Sequence, residues 1–599
     1  MRLSGLPLFA PFTLAAALLF GATAPGAASP AYAAGSSAGA AFAQASAETG
    51  VPASVLQALC YLEGRLSNHG GTASIDGGFG CMHLVQNRRA DTLDQAAHDL
   101  SASVPQLKVD MATNIRGGAA VLRDEALALS ASHVLPSTVS GWYGAVAAYS
   151  HASTLPTALM YADAVYGLLG RGFSAQTDQG ETVSLAPQAV TPDRATASAV
   201  NAAGALPTGC TVDANVDYAP AVDCIVPTSF DCNLAPVTAP CSYNGADRPA
   251  DFSIDQVVIH DVEGSAQDAI SDFQDPNRAA SVQYVVGSDG TVYQTLHERD
   301  VPFGAGNFWY NEHSINIEHA GFDATGFLWY NATEYLASAK LVAHLLRKYG
   351  IPLDHDHVVS HGTVPGPFLA ATPNHVDPGP YWLWDYYLGL IRQQGVPAPA
   401  AGRTSNVITL HPATDRRPLG RNGTETAANF NFFYLYQGPS TTSGLVPQIV
   451  GSSDVTDESA NVEPDISYPF LARVKDPAGT GDTMFEIAYG EFDQAQANPS
   501  SLFQTSHLAW LAVPPGAADP GPGTVVALRG TAGAPAPVFG RPTTGDLYHI
   551  GDAAGGSLFA SAYSVLEDGT ANRWFEINFN HRQAWVPAAE VTIIPPAGG

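Results

Sequence analysis

Basic residues are scarce in this chain: 26 Lys and Arg stand against 55 Asp and Glu, a formal net charge of -29. Nucleic acid and anionic membrane surfaces are polyanions, so this balance argues against both as partners and favours a neutral, cationic or polymeric one. Long apolar runs are also scarce. Past the N-terminus no stretch is apolar for long enough to span a bilayer. Cysteine is limited to six residues, an even set.

What is present begins with "MRLSGLPLFAPFTLAAALLFGATAPGAASPAYAA": one Arg, an apolar stretch and a small-residue end. This reads as a secretory signal peptide over 1–34, with cleavage near Ala33 or Ala34. The remainder is then expected outside the cell, where cysteines pair as disulfides rather than hold metal as thiolates. Cys60 and Cys81 lie together early in the chain. Cys210, Cys224, Cys232 and Cys241 form a second group that allows three pairings, among which sequence does not choose.

At 599 residues the chain is too long for one core. Residues 35–172 read as helical: in "GVPASVLQALCYLEGRL" the apolar Val55, Leu56, Leu59 and Leu62 recur at helical spacing. Residues 173–250 turn Ala, Thr, Pro and Asp-rich without periodicity, a linker whose last part carries the cysteine quartet. Residues 251–392 interleave strands with helices, which gives an α/β domain. Here "SVQYVVGSDGTVYQTL" is a strand, an Asp-Gly turn and a strand, and "TEYLASAKLVAHLLRKYG" is a helix with Thr333 as N-cap and Gly350 as stop. After a linker over 393–407, "TMFEIAYGE" and "HLAWLAV" are echoed by "RWFEINFNHRQAWVPAAEV", so 408–515 and 516–599 read as two small β-barrels in tandem.

The chemistry concentrates in the α/β region. His260 ends the run Val257 to Ile259, and His361 ends the run Val358 to Ser360. Two adjacent strands ending this way deliver two imidazoles to one sheet edge, and Asp377 follows closely enough to be a third ligand. A catalytic zinc takes three such ligands and keeps one position open. Each residue alone also has a plain explanation, since strand-end histidines are commonly solvated and Asp before Pro-Gly forms turns.

Taken in order, "VVIHDVEGS", "DPNRAASVQYVVGSDGTVYQ", "GAGNFWYNEHSINIEHAG", "VVSHGTVPG" and "DPGPYW", spread over about 255–390, resemble the zinc-dependent N-acetylmuramoyl-L-alanine amidases related to peptidoglycan recognition proteins and phage lysozyme-amidases. The resemblance implies an α/β fold with a central mixed sheet, Zn2+ held by His260, His361 and Asp377, and Glu318 activating the attacking water. His375 stands where many relatives have a lysine that donates to the oxyanion. The implied substrate is peptidoglycan, cut between N-acetylmuramic acid and L-alanine. The alternation in "SINIEH" agrees, because Ile315 and Ile317 face one way while Ser314, Asn316 and Glu318 face the other, away from the core. The chain departs from the pattern at Gln283, at Gly304-Ala305-Gly306 and in the spacing of His361 and Asp377, which are sixteen residues apart. His319, His355 and His357 read as surface or supporting residues.

Residues 40–170, through "GVPASVLQALCYLEG", "DGGFGCMHLV" and "WYGAVAAYS", resemble the lysozyme-like lytic transglycosylases. That resemblance makes Glu63 a second catalytic acid and suggests a Cys60–Cys81 disulfide stapling the glycine-rich loop to its helix. Gly64 and His83 depart from the residues usual there. The C-terminal repeats resemble bacterial SH3-like modules that bind cell wall, with Trp510, Trp574 and Trp585 as core aromatics. The leading expectation is a secreted, wall-associated zinc amidase. The rivals are a wall-binding protein without activity and a glycan lyase acting through Glu63.

Overall fold

The computed structural model describes residues 37–595 apart from 65, 75–76, 87–89, 153–154, 178, 201–205, 213–214, 237, 369–374, 399–405, 412–425, 428, 447–460, 491–507, 522–523 and 531–534. The signal-peptide reading and the middle of the segment between His361 and Asp377 lie outside the described residues.

The first part is built from helices α1 (Ala38–Thr49), α2 (Ala53–Gly64), α3 (Thr92–Leu100), α4 (Val104–Val109), α5 (Met111–Leu129), α6 (Tyr143–Tyr149) and α7 (Leu155–Arg171). Their starts are chemically marked. The side chains of Ser37, Asp91, Ser103 and Asp110 each accept a backbone N–H of the turn that follows, satisfying a donor the helix leaves open. Val55, Leu56, Leu59 and Leu62 of α2 are all buried in the core of this part. Short strands β1 (Gly78–Phe79) and β2 (Leu84–Val85) pair antiparallel beside α2.

The segment read as a linker is more ordered than its composition suggests. It contains an antiparallel hairpin, β3 (Phe173–Gln176) with β4 (Thr182–Leu185), and then β5 (Val222–Asp223), which joins the sheet of the α/β region. A two-residue edge strand carries no periodicity for a sequence reading to detect. The disulfides are Cys60–Cys81, Cys210–Cys224 and Cys232–Cys241.

The α/β region is a mixed six-stranded sheet that adds β6 (Gln256–Ile259), β7 (Tyr284–Val286), β8 (Val292–Gln294), β9 (Ser314–His319) and β10 (Val358–Ser360), in the order β10-β6-β9-β7-β8-β5. Neighbours run parallel except β7 and β8, which the expected Asp289-Gly290 turn joins. Four helices accompany the sheet: α8 (Ala266–Phe273), α9 (Phe308–His313), α10 (Ala332–Tyr349) and α11 (Trp384–Gln393). One expectation is corrected here. Asn331, not Thr333, caps α10, because its side chain lies one residue before the helix and accepts from both Thr333 and Glu334 N–H. Trp382 lies just before α11 and is fully buried.

One face of the sheet packs Val257, Ile259, Ile315 and Ile317 against α10, α11 and Trp382. The opposite face, expected to be polar and open, is also covered. Ser314 and Asn316 are 0% exposed, and Val258 and Val359 share a core with Trp309, Tyr310, Trp574 and Trp585. Those last two tryptophans belong to the C-terminal region.

That region has a seven-stranded sheet drawn from Val407 to Pro520, followed by a five-stranded and a three-stranded sheet drawn from Thr524 to Ile594. Ala518–Pro520 pairs with Val407–Leu410, so the division between 515 and 516 moves past this strand, whose partner lies at the start of the first unit. Among the described residues no helix is long and apolar enough to cross a membrane.

Candidate active site

Three parallel strands end together. The registers Ile259 with Ile317 and Ser360 with Ile259 bring the next residues of β10, β6 and β9, His361, His260 and Glu318, level with one another. Open α/β sheets bind ligands at the carboxyl ends of their strands. Backbone bonds hold this alignment, His260 N–H donating to Ile317 O and His361 N–H to Ile259 O, each at 2.9 Å. The imidazole centroids of His260 and His361 are 4.2 Å apart.

Asp377 arrives from the loop before α11. Its carboxylate lies 3.1 Å from His361 Nδ1 and 3.6 Å from His260 Nδ1, and it accepts Asp261 N–H at 3.2 Å. One donor atom from each of His260, His361 and Asp377 falls within a 4.8 Å cluster, and all three residues are buried. The tautomer of His260 follows from its neighbour. Asn316 Nδ2 donates to Ser314 Oγ at 2.9 Å, which turns Oδ1 toward His260 Nε2 at 2.8 Å. Nε2 therefore carries the proton, and the lone pair of Nδ1 faces the cluster.

Electrostatics agree with this donor set. Burial, and then the proximity of His361, hold the His260 imidazole well below its usual pKa; burial likewise lowers His361. Burial pushes the Asp377 carboxyl up, but His361 and His375 outweigh it and keep the group ionised. The Glu318 carboxyl is pushed well above its usual range by burial, and further by Asp377 and Asp261. Its Oε2 is buried with no hydrogen-bond partner among the described residues. His375, in contrast, is 58% exposed; it stacks on His361 at 4.1 Å and places Nδ1 3.2 Å from Asp377 Oδ1.

Three residues support the cluster, and for Asn316 and Tyr330 the sequence reading assigned no such role. Asn316 fixes the His260 tautomer, and its signal was the alternation that puts it two residues before Glu318 on the same face. His319, expected at the surface or in support, is fully buried: Nδ1 meets His260 O at 2.9 Å and Nε2 meets Ser338 Oγ at 2.7 Å. Tyr330 donates to Asp261. Gln283 is buried too, accepting Asn316 N–H at 2.9 Å, so it braces the sheet. A Cβ on Gly304 would meet Asn316 Oδ1 at 2.9 Å, which explains glycine at that position. His355 and His357, expected at the surface or in support, are buried away from the cluster; His355 Nε2 lies 2.9 Å from Glu463 Oε2.

Glu63 lies elsewhere, at the end of α2. It accepts from Tyr161 OH and lies 3.5 Å from His83 Nδ1. With Tyr149 and His151 it lines a cavity of about 440 Å³ whose far wall includes Gln267 and Asp289 of the α/β region.

Two neutral imidazoles and one carboxylate, all buried and clustered, match the donor set of zinc hydrolases. The family model for N-acetylmuramoyl-L-alanine amidase matches residues 250–380. N-acetylmuramoyl-L-alanine amidase A of Achromobacter lyticus is 31% identical over 156 residues, covering 23% of this chain and 84% of that protein. Among solved structures, a selenomethionine AmpD derivative is 22% identical, covering 28% of this chain and 98% of its own with a TM-score of 0.21. The hydrolase AmiA of Staphylococcus aureus in complex with its ligand is 22% identical, covering 26% of this chain and 82% of its own with a TM-score of 0.22. The chain belongs to the N-acetylmuramoyl-L-alanine amidase family. It is an enzyme that cleaves the amide between N-acetylmuramic acid and L-alanine in peptidoglycan.

Proposed function

We propose that His260, His361 and Asp377 hold Zn2+, that Glu318 is the proton-transfer residue and that His375 steadies the oxyanion. The observation carrying this reading is the alignment of His361, His260 and Glu318 at the ends of three adjacent parallel strands. Bound there, zinc supplies Lewis acidity to the amide carbonyl and lowers the pKa of water. With the charge of a bound cation offsetting the burial and carboxylate repulsion that otherwise favour its protonated form, Glu318 would accept the proton of the attacking water and return it to the leaving amine of L-alanine. His375, exposed beside His361, donates from its ring to the oxygen on which negative charge develops. Asn316 and His319 hold His260 in orientation throughout.

The lysozyme-like reading of the helical part is a second activity of the same chain. Its support is Glu63 facing a cavity beside His83 and Tyr161, on a helix end tied by Cys60–Cys81. The two C-terminal β units serve as SH3-like wall-contacting modules, and the protein works outside the cell, where its three disulfides are stable.

Digestion of purified peptidoglycan, with mass analysis of products, tests these readings together. Free stem peptides that disappear on adding chelator are expected of the zinc amidase, and anhydro-muropeptides of the Glu63 site. Amide cleavage that persists after complete metal removal would refute the zinc assignment.

A further inference from the structure

The turn Asn580-His581 joins the strands Arg573–Phe579 and Arg582–Pro587. Both turn residues have positive φ, 52° and 66°, as a two-residue hairpin turn requires. Such tips usually lie in water. Here Asn580, His581, Arg582 and Gln583 are 0%, 2%, 2% and 1% exposed. Three of these side chains, His581, Arg582 and Gln583, meet partners there, as burial demands because an unpaired buried polar group is costly.

The partners lie largely in the amidase domain. Gln583 Oε1 accepts from Gln256 Nε2 at 2.8 Å and Tyr310 OH at 3.1 Å, and its Nε2 donates to Asp356 O at 2.7 Å. His581 Nε2 lies 3.2 Å from Glu463 Oε1, the oxygen that accepts at 2.6 Å from Ser360, the residue before His361. Arg582 goes furthest: its Nη1 donates to Gly362 O and, at 3.0 Å, to His375 O. Gly362 follows one ligand in the chain and His375 lies two residues before another, and Gly362 N–H donates to Asp377 O at 2.7 Å.

We propose that Arg582 is a positioning residue of the amidase site, setting the approach of the Asp377 loop to His361 from the C-terminal β unit. The inference rests on the metal reading given above. One terminal NH2 group has two hydrogens, and here each goes to a carbonyl on a different ligand-bearing segment. The planar guanidinium fixes the angle between them in a way a lysine ammonium on a flexible stem does not. The last β unit is therefore part of the catalytic body, whatever it also does at the wall.

The test compares full-length wild type with Arg582→Gln, Arg582→Lys, His361→Ala and Trp574→Phe, the last an equally buried interface change away from the ligand loops. Zinc retention is read by dialysis against graded chelator, kcat and KM on soluble muropeptide, folding by near-UV circular dichroism, and ligand geometry by the visible spectrum of the cobalt-loaded protein. Arg582→Gln is expected to lose about ten- to a hundredfold in zinc affinity, the usual effect of removing a ligand-orienting partner. Its kcat falls with KM unchanged and its cobalt spectrum shifts. Arg582→Lys is intermediate and decides the matter if the Gln variant fails to fold, and Trp574→Phe is silent. Wild-type zinc affinity and kcat in both Arg582 variants, with His361→Ala metal-free, overturn the inference alone, as does an equal cobalt shift in Trp574→Phe. If wild type and His361→Ala release zinc alike, the metal reading falls and takes the inference with it.

Discussion

His361 and His375 stack ring on ring, centroids 4.1 Å apart and planes 18° apart, while both direct Nδ1 at the same oxygen of Asp377, at 3.1 and 3.2 Å. One imidazole is buried and the other is mostly exposed, a difference that fits the separate roles proposed for them.

That division separates two substitutions. Asp377→Ala should abolish zinc binding. His375→Ala should keep the metal and lose on the order of 10²-fold or more in kcat, the usual effect of removing an oxyanion donor. Metal content by elemental analysis beside kcat decides between them; a His375→Ala protein that loses its zinc would make His375 a ligand.

Glu318→Gln keeps the shape of the side chain and removes its ability to take a proton. We expect zinc content to be unchanged and amide cleavage to fall by about 10²- to 10⁴-fold, the range for general acid–base groups. A variant within a few fold of wild type would move the proton-transfer role elsewhere.

His313 of α9 lies 3.2 Å from Asp568 and 3.5 Å from Asp255. Burial alone would lower its pKa, but the two carboxylates win and push it from 6.5 up to about 9. A raised histidine stabilises the fold fully below about 6.5, and the contribution disappears as pH climbs through about 9. Asp568 is 48% exposed and Asp255 persists as a partner, so Asp568→Asn should cost about 1 kcal/mol near neutral pH. Urea unfolding at pH 6.5 and pH 10 checks this: the gap between wild type and variant should close at the higher pH, and a constant gap contradicts it.

Gly64 ends α2 against the disulfide-bonded loop, and a Cβ there would come 2.5 Å from Cys81 Cα. Backbone cannot move aside as a side chain can, so Gly64→Ser should destabilise the helical part by about 1–3 kcal/mol. Calorimetry of the full chain reads this, and an unchanged melting profile would show that the loop relaxes. Separately, Glu63→Gln should remove any anhydro-muropeptide products while leaving stem-peptide release intact.

Local pattern carried much of the amidase site. Short apolar runs ending in His260 and His361 showed two strands whose ends meet, and alternation in "SINIEH" put Asn316 and Glu318 on one face. Helix ends were less legible at α10, where Thr333 and Asn331 are both plausible caps until the backbone bonds are seen. The four later cysteines had no readable pairing, because 210 with 224 and 232 with 241 is a choice made by chain path.

The sequence by itself therefore determined which side chains stand at the strand ends, since strand periodicity and apolar runs act over a few residues. Only the tertiary structure decided that Asn580 to Gln583 are buried against the segments carrying Gly362 and His375 and that Trp574 and Trp585 share a core with the amidase sheet. In the sequence that hairpin reads as a polar turn at the tip of a separate barrel. Its partners Gly362 and His375 lie more than two hundred residues away, and nothing local distinguishes a turn that meets water from one that meets another domain.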